Sequence, residues 1–427
     1  MNELTAAMCG VCILLVPMTA AGITLINAGL GRSRDAAHVM TASLCAFGIA
    51  ALVCFVFGFG IQSYPSWPSP AAMIGGKSWS WFGGGPFFFR GLNFDEGGAA
   101  PLAAWLQLVS VGLAVVIPIG GGGGRWRLGS ICAASAVFSA VIYPLFAHWV
   151  WGGGWLAQLG PNYGLGRGFV DVAGSGVIQC TAGLAALVVT WTMGPRHGKF
   201  GAEGMPLAIP GHNVVVVLFG CLLAMTGWIG LNAGGAILYM GGSIASIPLV
   251  AVNTILSGVA ALVAAAAVTR IRFGKPDASL CANGWVSGLV ASSASCLFVR
   301  PAEAVVIGLA AGVITVFAIE ILELRLGVDD PGGVISVHGI GGFWGLLAMG
   351  LLGRSGREEG QLVAQVIGIA TLIGFIFPLT YGIHWVLNRL APYRIAPEGE
   401  WQGLDLYELG AGAYPEFVSH GEEFMPR

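Results

Sequence analysis

Runs of about twenty apolar residues, separated by short polar stretches, recur along almost the whole chain. A helix needs about 20 such residues to cross the roughly 30 Å of hydrocarbon in a bilayer. The pattern predicts eleven spanning helices, near residues 7–29, 38–62, 101–120, 128–150, 173–194, 213–232, 243–269, 279–298, 302–324, 334–353 and 361–388. The first run is too long for a signal-peptide core and has no basic flank, so it reads as a genuine first span. Between the runs lie a Gly-, Pro- and Trp-rich loop, Gln62 to Ala100, and a polar tail from Ala391. The expectation is an all-α membrane protein: one transmembrane domain over residues 1–390 and a tail over 391–427.

Polar residues inside the apolar runs are the exceptions that need a reason. The stretch FVDVAGSGVIQCTAGLAALVV, Phe169 to Val189, carries Asp171 and Gln179. Laid against DPGGVISVHGIGG, Asp330 to Gly342, it pairs Asp171 with Asp330, Gly174 with Gly333, Gln179 with His338 and Gly183 with Gly342. These are spans five and ten, so the match predicts two five-helix repeats, the second inverted, plus one extra helix. Inverted repeats place a substrate site near the membrane midplane, where corresponding helices meet. A polar group eight residues into a span lies about 12 Å deep, where it is costly and usually serves a pathway or a partner. Gln179 and His338 should therefore face each other.

Composition agrees with this solvent. Charged residues make up 9% of the 427 and apolar residues 56%, whereas soluble domains carry about a quarter charged residues. A net charge of -2 without a basic cluster argues against nucleic acid, whose phosphates need clustered Lys and Arg. The distribution of charge gives orientation. One set of connections holds Arg32, Arg34, Arg125, Arg127, Arg196, Lys199, Arg270, Arg272, Lys275 and Arg325, and the tail adds Arg389, Arg394 and Arg427. The other set holds only Lys77, Arg90, Arg167, Arg300, Arg354 and Arg357. Thirteen against six predicts the N-terminus outside and the tail in the cytoplasm. The 69 glycines suit close helix approach in lipid. The nine cysteines lie almost wholly in apolar runs and read as small packing residues. No paired carboxylates, metal-ligand cluster or nucleophile with a base stand among the spans, so neither an enzyme nor a cofactor is expected.

Five ordered motifs resemble the ammonium transporter family (Amt/Mep/Rh) over nearly the full length. They are AHWVWGGGWLAQLG (Ala147 to Gly160), VDVAGSGVIQ (Val170 to Gln179), GWIGLNAGG (Gly227 to Gly235), VDDPGGVISVHGIGG (Val328 to Gly342) and EGEWQGLDLYELGAGAY (Glu398 to Tyr414). The resemblance implies an eleven-helix bundle in the bacterial inner membrane, assembled as a homotrimer with one pore per subunit. It puts Trp151 at the outer mouth, where its ring face would attract a cation; an interfacial aromatic anchor is the alternative reading of the same residue. Asp171 becomes a structural and electrostatic residue near that vestibule. His338 matches the second of two pore histidines, Trp228 a pore-wall residue and Asn232 a helix-kink residue.

The departures from the family pattern carry the functional question. Gln179 stands where the first pore histidine is expected, and an amide offers donors and an acceptor but takes no proton near neutral pH. A proton relay along paired imidazoles would be broken. Ser110 and Leu231 fall at the two gate phenylalanines, and Gly235 at a serine of the outer mouth. Ile26 and Asn27 replace a cytoplasmic-side aromatic pair, and Trp285 is bulky where a small residue is usual. In the tail, Leu409 and Ala411 replace a histidine and a glutamate, which makes regulation by a PII-type signalling protein doubtful. Three functions follow as expectations: transport of ammonium or ammonia; transport of another small polar solute, such as a formamide-like amide or a larger amine; or an ammonium receptor.

Overall fold

The computed structural model describes residues 1–65, 67–354 and 358–415. Arg357 and Arg427, counted above in the charge asymmetry, lie outside the described residues. Among the described residues, ten helices are long and apolar enough to cross a membrane. In chain order with one shorter helix they are α1 (Glu3–Leu30), α2 (Ser33–Gln62), α3 (Ala99–Gly122), α4 (Leu128–Trp151), α5 (Ser175–Met193), α6 (Val214–Met240), α7 (Ile244–Phe273), α8 (Ala278–Ser292), α9 (Pro301–Leu324), α10 (Ile335–Leu352) and α11 (Gln361–Leu390). Helices satisfy their backbone groups internally, which hydrocarbon requires. Several entries are fixed by side-chain caps. Thr5 N–H donates to Asn2 Oδ1 at 2.8 Å, Val216 N–H to Asn213 Oδ1 at 3.1 Å, and Leu280 N–H to Asp277 Oδ1 at 2.8 Å.

The expected span over 279–298 is the one that differs in kind. α8 stops at Ser292 after 15 residues and a run of turns follows. At 1.5 Å per residue it covers about 22 Å, short of the hydrocarbon thickness. The cause is local: the Ser292 and Ser293 hydroxyls both donate to the carbonyl of Leu289, at 2.7 and 3.2 Å, and such bonds compete with the helical ladder. α6 corrects the expectation the other way. It continues to Met240 without a break in its helical assignment, and the Asn232 side chain ties it to its neighbours. The loop before α3 contains a small hairpin, β1 (Ala71–Ile74) and β2 (Lys77–Ser80), which the residue pattern did not reveal.

Neighbour relations repeat along the chain. α3 packs on α1, α2 and α5, and α8 on α6, α7 and α10; α2 meets α4 as α7 meets α9. These two sets of helices join where α1 lies along α6 and where α5 meets the start of α10.

The tail is bound across the helix ends on one side. Asp405 accepts from the Ala37 and His38 backbone N–H groups at the start of α2, at 3.1 and 2.7 Å. Glu408 Oε2 accepts from the Leu128 N–H that opens α4 at 2.8 Å and lies 2.7 Å from His38 Nε2. Carboxylates at helix N-termini meet free N–H groups and the positive end of the dipole. Burial raises the Glu408 carboxyl, but these bonds outweigh it and hold the group below its ordinary range.

Candidate functional site

The site is built by the starts of α5 and α10. Each follows a left-handed glycine, Gly174 (φ 105°) and Gly333 (φ 66°), a conformation that suits glycine because it has no Cβ. Each opens with a widened π-type turn, Ser175–Cys180 and Ile335–Ile340, a form often found at functional positions. An aspartate closes each turn from below. Asp171 accepts from the N–H groups of Gly174, Gly176 and Val177 at 2.9, 2.8 and 2.9 Å. Asp330 accepts from Ile335 N–H at 2.8 Å, the counterpart of the Gly176 bond.

Wide turns and small residues let the two helices touch. A side chain on Gly183 would overlap the backbone of Gly339, and one on Gly342 would strike Cys180 and the Ser175 carbonyl. At this crossing His338 Nδ1 lies 2.6 Å from Gln179 Oε1, with Gln179 fully buried and His338 2% exposed. A carbonyl oxygen only accepts, so His338 Nδ1 carries the proton and Nε2 the lone pair. The Gln179 amide nitrogen has no partner.

Other expected site residues gather at the Asp171 end. Trp151 closes α4 and donates its Nε1–H to the Asp171 carbonyl at 2.7 Å. One face of its ring is already covered by Tyr239, stacked at 4.6 Å and 4°. Tyr239 hydroxyl accepts from Gln107 Nε2 at 2.5 Å, and Gln107 Oε1 accepts from the Tyr143 hydroxyl at 2.6 Å. This chain, buried at Gln107 and Tyr143 and partly exposed at Tyr239, was not singled out from the sequence. Trp228 Nε1–H donates to Ser293 Oγ at 2.8 Å. Asn232 Nδ2 donates to Thr254 Oγ1 and Ser292 Oγ, at 2.8 and 3.1 Å, joining α6 to α7 and α8. Gly235 lies against the backbone of Val172 and Ala173, so a serine Cβ there would crowd the Val172 carbonyl. Leu231 and Ser110 are buried on α6 and α3, and the Ser110 hydroxyl has no partner.

Two expected residues lie elsewhere. Asn27 on α1 donates to the Val116 carbonyl at 3.2 Å beside Gly332, at the opposite end of the bundle from Trp151. Trp285 on α8 donates to the Cys221 carbonyl of α6 at 3.1 Å. Near the Asn27 end, Asp329 forms a two-pronged pair with Arg196, both bonds 2.8 Å, and its backbone carbonyl accepts from Arg125 at 2.7 Å. Burial raises the Asp329 carboxyl, but Arg196 and Arg125 overcome it and bring the value down to about 2. Burial lowers the Arg125 guanidinium to about 10, against the pull of Asp329. Among the described residues, no group of three His, Cys, Asp or Glu side chains is placed to hold a metal ion.

A bundle of membrane-length apolar helices, with a buried amide–imidazole pair where the widened first turns of α5 and α10 cross, defines a polytopic membrane protein. The Ammonium Transporter Family profile matches residues 7–414, and the chain belongs to that family. Ammonium transporter Amt2 of Archaeoglobus fulgidus is 35% identical over 427 aligned positions, covering 96% of this chain and 87% of its own. An ammonium transporter of Bacillus subtilis is 29% identical, covering 95% and 97%. Among solved structures, a Sensor Amt Protein superposes with a TM-score of 0.85 at 28% identity, over 95% of this chain and 98% of that one. Mep2 of Candida albicans gives 0.77 at 23% identity over 99% and 93%, a likeness of fold. The chain is thus a non-enzymatic, multi-pass membrane transporter of the ammonium transporter family.

Proposed function

We propose that each subunit conducts ammonium or ammonia, or a close small polar analogue, along a central pathway past Gln179 and His338. The observation that carries this is the 2.6 Å bond between two side chains withdrawn from solvent at the helix crossing. It leaves an amide donor and an imidazole lone pair free. Ammonia fits both, accepting from Gln179 Nε2–H and donating to His338 Nε2. Gln179 takes the place of the family's first pore histidine, so the proton has no second imidazole to reach. Trp151 receives the cation on the ring face opposite Tyr239, with Asp171 fixing the turn behind it. Ser110, Leu231, Gly235 and Trp228 form that outer mouth, and Asn27 and Trp285 shape the cytoplasmic half.

The repeating neighbour pattern supports a five-plus-five inverted repeat with α11 added. So does the 159-residue separation of Gln179 and His338, the offset that pairs Asp171 with Asp330. α8 with its following turns completes an eleventh crossing. The N-terminus lies outside and the tail in the cytoplasm of the bacterial inner membrane, as the charge asymmetry argues. The subunits form a homotrimer, as expected of the family. A PII-type partner remains the less favoured reading, because the tail lacks the histidine and glutamate of the family pattern and lies bound by its own carboxylates.

A second reading has its own support. The unpartnered Gln179 amide nitrogen and the His338 lone pair also match a short neutral amide, whose carbonyl accepts and whose NH2 donates. A third, an ammonium receptor, is supported by likeness to the Sensor Amt Protein. Proteoliposomes offered ammonium, methylammonium, formamide and choline separate them. Saturable ammonium or methylammonium uptake bears out the first reading. Electrically silent amide uptake without ammonium uptake replaces it with the second, and ligand binding without any uptake with the third.

A further inference from the structure

Outside the pathway, a cavity of about 10 Å³ lies between α3, α4, α5 and α11. Most of its wall is apolar, as at Val115 and Ala185, but Trp126, Ser135 and His384 also line it. Trp126 is 4% exposed and His384 2%, and neither Trp126 Nε1 nor His384 Nε2 has a partner in the protein. Two unpaired buried ring nitrogens beside a hydroxyl cost about 1–3 kcal/mol each unless something bonds them. Room for one water-sized molecule requires roughly 10–15 Å³ open to its centre, together with two to four polar partners. The cavity reaches the lower end of that volume, and three polar side chains, Trp126, Ser135 and His384, stand in its wall.

We infer that this cavity is a binding site for a single neutral hydride of one heavy atom, water or ammonia, that bridges Trp126, Ser135 and His384. Trp126 is donor-only at its indole nitrogen, so the bound atom accepts there. It donates in turn to His384 Nε2 when His384 Nδ1–H bonds the Tyr393 hydroxyl, which lies 2.7 Å away. The position gives the molecule a task. Tyr393 is fully buried where the tail leaves α11; its carbonyl accepts from Arg127 N–H at 2.9 Å, and its ring packs 5.6 Å from Trp126. The bridge therefore joins the root of the tail, through His384, to α4 at Ser135 and to the connection before it at Trp126. A cation is excluded, because no acidic side chain lines the cavity.

The test is density at this site in a structure of the full-length protein at a resolution that shows ordered water, with and without ammonium in the buffer. A single peak within hydrogen-bond distance of both ring nitrogens is expected; its presence without ammonium identifies water, and its appearance only with ammonium identifies ammonia. Trp126→Phe removes the donor while keeping a ring against Tyr393, and the peak should be lost. Ser135→Ala, which keeps both rings, serves if that variant does not fold, and should displace or weaken the peak. No peak in either buffer overturns the inference, as does a peak that stays unmoved in the variant that folds.

Discussion

Replacing Gln179 with leucine tests the site at its centre. Leucine is close in size to glutamine but withdraws the Oε1 that accepts from His338 Nδ1 at 2.6 Å and the unpartnered amide nitrogen beside it. The passing solute loses one neutral hydrogen bond, worth about 0.5–1.5 kcal/mol. If that bond is made at the barrier, uptake slows roughly two- to twelvefold, since about 1.4 kcal/mol is a factor of ten. A separate cost falls on the fold. His338 is left with a buried N–H lacking its acceptor, at about 1–3 kcal/mol. Tracer uptake of methylammonium into proteoliposomes measures the first effect, and heat inactivation of detergent-solubilised protein, followed as loss of the monodisperse peak, measures the second. Unchanged uptake together with unchanged heat resistance would refute both the location and the role of Gln179. Unchanged uptake with lowered heat resistance would leave the pair as a fold contact and move the pathway elsewhere.

Gln179→His should raise the proton-coupled current elicited by ammonium on a solid-supported membrane; no change would mean that a second imidazole at this depth does not serve as a relay. Asp171→Asn keeps one acceptor but turns an NH2 toward the Gly176 and Val177 N–H groups, and should cost about 2–4 kcal/mol, seen as faster heat inactivation. Gly183→Val should abolish recovery of folded protein by size exclusion, because even its Cβ overlaps Gly339. The Asp329 carboxyl is depressed from about 3.9 to about 2. The stability its arginine pair contributes is therefore fully present above pH ~4 and is lost as pH falls through 2; heat resistance that instead fell between pH 7 and 5 would assign the loss to other groups.

Most of the bundle was legible because lipid imposes one rule, a long apolar run for each crossing. The rule failed where hydroxyls changed the backbone's partners: nothing in the hydropathy of 279–298 reveals that Ser292 and Ser293 end α8. The pair at the helix crossing was legible through an offset, since Asp171, Gly174, Gln179 and Gly183 each have a counterpart 159 positions on. Tyr239, Gln107 and Tyr143 were not, because their chain joins three helices and leaves no periodic trace. The tail was opaque for the same reason, as Asp405 caps a helix that begins some 370 residues earlier.

The two aspartate-capped turns are not equally tied. Asp171 holds its turn by three backbone bonds, whereas Asp330 holds its own by one and keeps Oδ1 without a partner. Fluctuations at the crossing should therefore be lopsided: the first turn of α10 frays while that of α5 stays closed. The machinery has one stiff jaw and one soft one. Amide exchange should register this as earlier labelling of residues 334–337 than of 175–178.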